Sequence, residues 1–120
     1  MRVIVIDDDE DLVKSLSEFF RMAEIQVVGK GYNGEDAYQL FKEHKPDVVI
    51  LDMKMPQYDG AYAIKKIKSE DHDAKIIVIT GYTDYEFDSD EVFEIFTKPY
   101  DIDKLLNAVK KIEPKHFLVK

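Results

Sequence analysis

The stretch VIVIDDDED, residues 3–11, is an apolar run that ends abruptly in consecutive acidic residues. Its four apolar residues are β-branched and do not alternate with polar ones, which is typical of a parallel strand covered on both faces. Similar apolar runs recur at 48–51 and at 76–79. The three runs therefore predict three central strands of a parallel sheet.

Helical periodicities separate these runs, so strands and helices alternate along the chain. Weaker apolar runs at 25–28 and 95–97 predict an edge strand and a short final strand. The segment 81–94 has only a weak helical pattern, so any fourth helix is expected to be short or irregular. Right-handed crossovers then predict an α/β fold, a doubly wound five-stranded parallel sheet of flavodoxin-like order 2-1-3-4-5 with helices on both faces. The periodic apolar residues are Leu12, Leu16, Phe19 and Phe20; Ala37, Leu40 and Phe41; Ala63, Ile64 and Ile67; and Ile102, Leu105, Leu106, Val109 and Ile112.

Composition limits the classes of function. The 120 residues predict a single domain over 1–120, with 113–120 as a C-terminal tail. The formal net charge of -8 works against binding to nucleic acid or to an anionic membrane. No cysteine is present, which excludes Cys-ligated structural zinc. Apolar runs are far shorter than the roughly 20 residues of a spanning helix, so we expect a cytoplasmic protein.

Polar residues that could bind a ligand or take part in a reaction follow the predicted strands. In an open parallel sheet, ligands bind in the crevice beyond the carboxyl ends of the strands, so these side chains are expected to converge there. They are Asp7 and Asp8 after the first strand, Asp52 after the third, Thr80 after the fourth and Lys98 after the fifth.

Three neighbouring carboxylates repel one another and would raise each other's pKa or destabilise the fold unless a cation neutralises them. All-oxygen ligation favours Mg²⁺, or Mn²⁺ in its place, and Mg²⁺ also accepts phosphate oxygens. With Lys98 as a second positive charge and the hydroxyl of Thr80 nearby, the site could receive a phosphoryl group, and Asp52 would be its nucleophile.

Two features have simpler interpretations. Asp9, Glu10 and Asp11 are predicted to be charges at a helix N-terminus, without a chemical role. Residues 29–34 read G-x-G-x-x-G, the dinucleotide-binding fingerprint, but they follow the weak edge strand and lie near the acidic run. We therefore interpret Gly31 as a turn residue and Gly34 as a helix-entry residue.

Four motifs resemble the receiver domain of two-component response regulators, in the CheY-like superfamily, over about residues 2–112: VIVIDD at 3–8, DVVILDMKMPQYDG at 47–60, VITG at 78–81 and TKP at 97–99. The resemblance implies that Asp52 is the phosphoacceptor. It also implies that Asp7 and Asp8 hold Mg²⁺, with Asp8 as the direct ligand, and that the Lys54 backbone carbonyl completes the protein's ligand set.

The resemblance assigns further roles around the phosphoryl group. Lys98 would contact its oxygens, Thr80 would move to bond them, and Gly81 could donate a backbone N–H. The Lys98–Pro99 bond is expected to be cis. The implied phosphodonor is a histidine kinase. Since no effector is expected after the last helix, output would pass to a downstream protein or to a histidine phosphotransfer protein.

The motifs LDMKMP and KPYDIDKL, together with Tyr82, resemble the single-domain receivers of the sporulation phosphorelay type. In such a receiver Lys54 and Tyr82 would flank the path of an attacking water and slow loss of the phosphoryl group.

Two departures from the pattern of the receiver family concern how the signal is passed on. Ile95 stands where the family usually has an aromatic residue or histidine, so that switch is absent or replaced by Phe96. The segment between Thr80 and Lys98 is shorter than usual.

Two other functions fit parts of the pattern. A haloacid dehalogenase-type phosphatase would use Asp7 as nucleophile and Asp9 as acid and base, but this interpretation leaves Asp52 without a role. A receiver-like interaction module that is never phosphorylated would not need the complete site. The favoured prediction is a signalling receiver that catalyses only its own phosphorylation and slow dephosphorylation.

Overall fold

The structure is a computed structural model that describes residues 1–81 and 89–114. Five parallel strands form one sheet in the order β2-β1-β3-β4-β5, which confirms the predicted topology. The strands are β1 (Arg2–Ile6), β2 (Gln26–Gly31), β3 (Val48–Leu51), β4 (Ile76–Thr80) and β5 (Glu94–Thr97). The helices are α1 (Glu10–Met22), α2 (Gly34–His44), α3 (Gly60–Glu70) and α4 (Ile102–Lys110), with a 3₁₀ turn at Ser89–Glu91.

The sheet forms the middle of three layers. Helices α1 and α4 cover one face, and their buried residues pack with Val5, Ile50 and Ile79. Helices α2 and α3 cover the other face and pack with neighbouring strand residues such as Ile4 and Val78. Residues of the three apolar runs are no more than 2% exposed. Burial on both faces explains why these strands show no alternation of polar and apolar residues.

Side-chain caps set the helix boundaries. Asp9 precedes α1, and its carboxylate accepts the backbone N–H groups of Asp11 and Leu12. The side chains of Asn33 and Asp101 likewise accept backbone N–H groups at the starts of α2 and α4. Helix α2 ends at His44 ahead of Pro46, with Lys45 in the left-handed region. The acidic residues at 9–11 therefore begin a helix, as expected.

The interpretation of Gly31 as a turn residue is wrong, because it is the last residue of β2 and pairs with Ile6. Strand pairing continues through the glycines, where the apolar pattern has already stopped. A Cβ on Gly31 would lie 2.7 Å from the Cβ of Asp36 and 2.9 Å from Ile6 Cδ1, so glycine permits this close packing. Gly34 is the first residue of α2, which confirms its predicted place.

Between β4 and β5 the structure describes Gly81 and residues 89–93. There the one-turn 3₁₀ segment Ser89–Glu91 is seen, while the rest of the predicted short or irregular helix lies outside the described residues. The predicted tail at 113–120 also lies mostly outside them. Within 1–81 and 89–114, no helix has the length and apolar character that crossing a membrane requires.

Candidate functional site

The parallel pairing of β1 and β3 brings Asp7 and Asp52 together. Ile6 lies opposite Leu51 in the sheet, so the next residue of each strand leaves at the same edge. The Asp52 N–H donates to the Ile6 carbonyl at 3.0 Å, and the Asp7 N–H donates to the Gly31 carbonyl at 3.2 Å. Both side chains are buried although both are acidic.

Asp8 completes a cluster of three carboxylates. One carboxylate oxygen from each of Asp7, Asp8 and Asp52 lies within 4.8 Å of the others. Asp8 is exposed, and the cleft above the cluster is also lined by Lys54, whose side chain is exposed. Closely spaced carboxylate oxygens on an open cleft are the donor set that a hard divalent cation prefers, so these residues fit Mg²⁺.

Lys98 lies between two of these carboxylates. Its Nζ is 3.0 Å from Asp7 Oδ2 and 3.7 Å from Asp52 Oδ2. The Lys98 N–H donates to the Thr80 carbonyl at 2.8 Å, which fixes the end of β5 beside the end of β4. The following Lys98–Pro99 peptide bond is cis, as expected. Lys98 thus supplies one positive charge in contact with two of the three carboxylates, and negative charge remains in excess there.

This excess appears in the acid–base properties of the site. Burial raises the pKa of Asp52 to about 6, and the negative charges of Asp7 and Asp8 add to the rise. The Lys98 ammonium and the Met53 N–H oppose it without cancelling it. For Lys98, burial disfavours the charge, but its hydrogen bond to Asp7 and the attraction of Asp52 raise its pKa above the usual value. Asp52 thus lacks sufficient positive charge around it.

The other predicted phosphoryl-binding residues lie at the same edge of the sheet. Thr80 is the last residue of β4 and is fully buried, and the exposed Gly81 follows it. A Cβ added to Gly81 would meet no atom within 4 Å, so packing alone does not require glycine there. Tyr82 lies outside the described residues.

Ile95 and Phe96 lie on opposite faces of β5. Ile95 packs against the cluster under α2 and α3, whereas Phe96 packs against the cluster under α1 and α4. Thr80 pairs with Thr97, which is two residues from Ile95 and therefore on the same side of the strand. Of the two candidate switch residues, Ile95 is the one that shares the face of Thr80.

Sequence patterns missed the backbone groups that hold the carboxylates. The Asp9 N–H donates to Asp7 Oδ1 at 3.0 Å, and the Met53 N–H donates to Asp52 Oδ1 at 2.8 Å. These groups carry no side-chain signal. The sequence analysis also did not place Tyr100 near the site, although Tyr100 lies only two residues after Lys98 in the sequence. Burial raises the pKa of Tyr100, the positive charge of Lys98 opposes the rise, and Asp7 adds to it.

Comparison with known proteins gives the family. The model of the response regulator receiver domain matches residues 3–110. The sporulation initiation phosphotransferase F of Bacillus subtilis is 32% identical over 117 residues, which cover 94% of both chains. The transcriptional regulatory protein YhcZ of Bacillus subtilis is 40% identical over 87 residues, which cover 72% of this chain and 41% of YhcZ.

Solved structures agree with this assignment. A chain in the crystal structure of the CheX–CheY–BeF₃–Mg²⁺ complex from Borrelia burgdorferi superimposes with a TM-score of 0.84 at 27% identity. The superposition covers 92% of this chain and 87% of that one. The chain therefore belongs to the response regulator receiver domains, the phosphorylatable signalling modules of two-component and phosphorelay systems.

Proposed function

We propose that Asp52 accepts the phosphoryl group from the phosphohistidine of a histidine kinase. The observation that carries this proposal is the buried Asp52 carboxylate, with Asp7 and Asp8 beside it and Lys98 Nζ at 3.7 Å. An oxygen of Asp52 attacks phosphorus, a P–O bond forms, and the P–N bond to the imidazole breaks. The electron pair of that bond leaves with the imidazole nitrogen, which then takes up a proton.

The carboxylates of Asp7, Asp8 and Asp52 and the backbone carbonyl of Lys54 would hold Mg²⁺, and Mn²⁺ would suit the same oxygen ligands. The bound cation would neutralise the excess negative charge of the cluster and that of the phosphoryl oxygens. Asp7 already accepts from Lys98 and from the Asp9 N–H, whereas Asp8 is exposed at the cleft. This difference supports Asp8 as the more available ligand.

Three residues at the ends of β4 and β5 would receive the phosphoryl oxygens. The Lys98 ammonium would pair with one of them, and the Thr80 hydroxyl and the Gly81 N–H would bond others. These contacts form only with the phosphorylated protein, so they would shift the equilibrium between two conformations. Ile95 of β5 lies on the same face of the sheet as Thr80, so a movement of Thr80 would affect its packing.

Loss of the phosphoryl group would be slow, which suits onward transfer to a histidine phosphotransfer protein or signalling to a downstream protein. Lys54 would contribute by flanking the path of water, because its exposed side chain lies at the rim of the cleft. Tyr82, as the resemblance to phosphorelay receivers implies, would flank the same path. Replacing Lys54 with Asn should shorten the lifetime of the phosphorylated protein.

The phosphatase interpretation is not favoured. It would require Asp7 as the nucleophile, yet Asp7 Oδ2 is 3.0 Å from Lys98 Nζ and its Oδ1 accepts the Asp9 N–H. It would also leave the buried Asp52 unexplained. The receiver would instead catalyse only its own phosphorylation and slow dephosphorylation.

The test is to locate the phosphorylated residue. The protein is incubated with Mg²⁺ and acetyl phosphate, and borohydride then reduces the acyl phosphate, so the modified aspartate becomes homoserine. We expect homoserine at position 52 by peptide mass spectrometry, and none without a divalent cation. Homoserine at position 7 would instead support the phosphatase. An unmodified chain that nevertheless binds Mg²⁺ would support the interaction module.

A further inference from the structure

Two hydrogen bonds between tyrosine and glutamate side chains join α2 to α3. Tyr62, in the first turn of α3, donates its hydroxyl proton to Glu35, in the first turn of α2. Tyr38 of α2 donates to Glu70, the last residue of α3, at 2.8 Å. The two bonds have the same chemistry, but only the first lies at the end of α3 that follows the candidate site.

The loop between β3 and α3 begins with Asp52 and contains Lys54. A backbone hydrogen bond of 2.7 Å from the Gly60 N–H to the Met53 carbonyl closes this loop. An added Cβ on Gly60 would lie 2.5 Å from the Asp52 carbonyl oxygen, so the start of α3 packs directly on the backbone of the proposed phosphoacceptor. Movement at the start of α3 would therefore displace the loop.

The start of α2 packs against the same loop. The Gly34 N–H donates to the Tyr58 carbonyl at 2.6 Å. An added Cβ on Gly34 would lie 2.3 Å from the Asp59 carbonyl oxygen, which shows how close the two backbones are. The rings of Tyr58 and Tyr62 are also in contact, with 4.9 Å between their centroids. Glu35 and Tyr62 thus link two helix starts that both contact the loop.

We propose that Glu35 and Tyr62 are positioning residues, whose hydrogen bond holds the loop so that the Lys54 carbonyl faces the cation site. The inference rests on the proposed function, because it concerns the same site. Mg²⁺ requires near-ideal octahedral geometry, so a loop that is held less firmly costs affinity. The bond between Tyr38 and Glu70 joins the same helices away from the loop and provides a matched comparison.

The experiment compares Tyr62→Phe with Tyr38→Phe in the full chain. Each variant loses one hydroxyl group and one bond between the helices, so the two melting temperatures should fall by similar small amounts. Calorimetric titration with Mg²⁺ should show about threefold to tenfold weaker binding for Tyr62→Phe only. Amide hydrogen exchange without Mg²⁺ should become faster at Gly34 and Gly60 in Tyr62→Phe and stay unchanged in Tyr38→Phe.

A second pair of variants tests the acceptor. Glu35→Gln keeps an oxygen that can accept from the Tyr62 hydroxyl, so Mg²⁺ affinity and amide exchange should stay close to those of the wild type. Glu35→Ala removes the acceptor and should reproduce Tyr62→Phe. This pair also decides the question if Tyr62→Phe does not fold.

The outcomes separate this inference from the proposed function. If the wild type binds Mg²⁺ and both tyrosine variants bind it equally well with unchanged exchange at Gly34 and Gly60, the positioning role is wrong and the proposed function stands. A wild-type protein that binds no Mg²⁺ would overturn both. Weaker binding in Glu35→Gln, equal to that in Glu35→Ala, would also contradict the hydrogen-bond argument.

Discussion

Strand β3 has a buried aspartate at each end, and the two are used differently. Asp47 immediately precedes Val48, Asp52 immediately follows Leu51, and the two are 2% and 6% exposed. Asp47 lies at the amino edge of the sheet, where its Oδ2 accepts the Arg2 N–H at 2.7 Å and its own N–H donates to the Arg2 carbonyl at 2.8 Å. The Asp47 carboxylate therefore stabilises the pairing of β3 with β1.

Asp52, at the carboxyl edge, faces other carboxylates instead. Oxygens of Asp7 and Asp8 lie within 4.8 Å of its own, and its pKa rises to about 6 because burial and these charges outweigh Lys98. Burial of an acidic group therefore does not by itself indicate function. Burial among like charges does, because the fold maintains an arrangement that a ligand must neutralise.

The largest expected difference between the two aspartates is in phosphorylation. Asp52→Asn should abolish labelling by acetyl phosphate, because the amide is not a competent nucleophile. Asp47→Asn should keep labelling near the wild-type rate, since its side-chain oxygen can still accept the Arg2 N–H. Intact-protein mass spectrometry measures both. Labelling of Asp52→Asn at the wild-type rate would place the acceptor elsewhere.

The next largest effect is on stability, and here the larger change is expected at Asp47 rather than at Asp52. Asp47→Ala should lower the free energy of unfolding by about 1–3 kcal/mol, because it leaves the Arg2 N–H without this buried acceptor. Urea unfolding measures the change. Asp52→Ala, at neutral pH and without divalent cations, should not be destabilised as much, because it also removes a repelled charge. Equal losses at the two positions would contradict the comparison.

The pH dependence of stability should distinguish Asp52→Asn from the wild type. The folded-state pKa of Asp52, about 6, lies above the reference value of 3.8, so the folded protein binds this proton more tightly than the unfolded chain does. This contribution is fully present below pH 3.8 and is lost as the pH rises through about 6. It amounts to about 1–2 kcal/mol, less than the full shift implies because the cleft is open to water.

Urea unfolding of both proteins without divalent cations tests this dependence. The wild type and Asp52→Asn should differ least at about pH 4, and Asp52→Asn should gain relative stability by about pH 7. A stability difference that does not change with pH would show that Asp52 is not repelled in the folded protein.

The smallest effect concerns Asp8 in the protein without metal. Asp8→Ala removes an exposed charge that repels Asp52, so the variant should be as stable as the wild type or slightly more stable. Mg²⁺ should raise the melting temperature of the wild type by mass action, and this response should be lost in Asp8→Ala. Differential scanning calorimetry measures both. A metal-free Asp8→Ala variant clearly less stable than the wild type would contradict the claim that Asp8 repels Asp52.

The sequence alone predicted the carboxyl edge of the sheet well, for a physical reason. Strand ends are visible as the residues where an apolar run stops, and parallel strands place their ends together, so Asp7 and Asp52 could be paired without coordinates. The weak apolar run at 25–28 predicted that β2 is an edge strand, and together with right-handed crossovers this gives the observed strand order. The start of α1 was also visible, because the acidic residues Asp9, Glu10 and Asp11 favour a helix N-terminus.

Features that depend on contacts across the fold were not predictable from the sequence. Asp47 follows Pro46 and looks like a loop residue, and its partner Arg2 is 45 positions away. The bond between Glu35 and Tyr62 spans 27 positions and leaves no periodic signal. Gly31 was misplaced because strand pairing continues after the apolar pattern ends.

The most direct test of the central claim is an NMR titration of the Asp52 side-chain carboxyl carbon, with and without Mg²⁺. Without divalent cations Asp52 should titrate near pH 6, and saturating Mg²⁺ should lower that midpoint, because the cation supplies the missing positive charge. A midpoint near 3.8 that Mg²⁺ does not move would contradict the account.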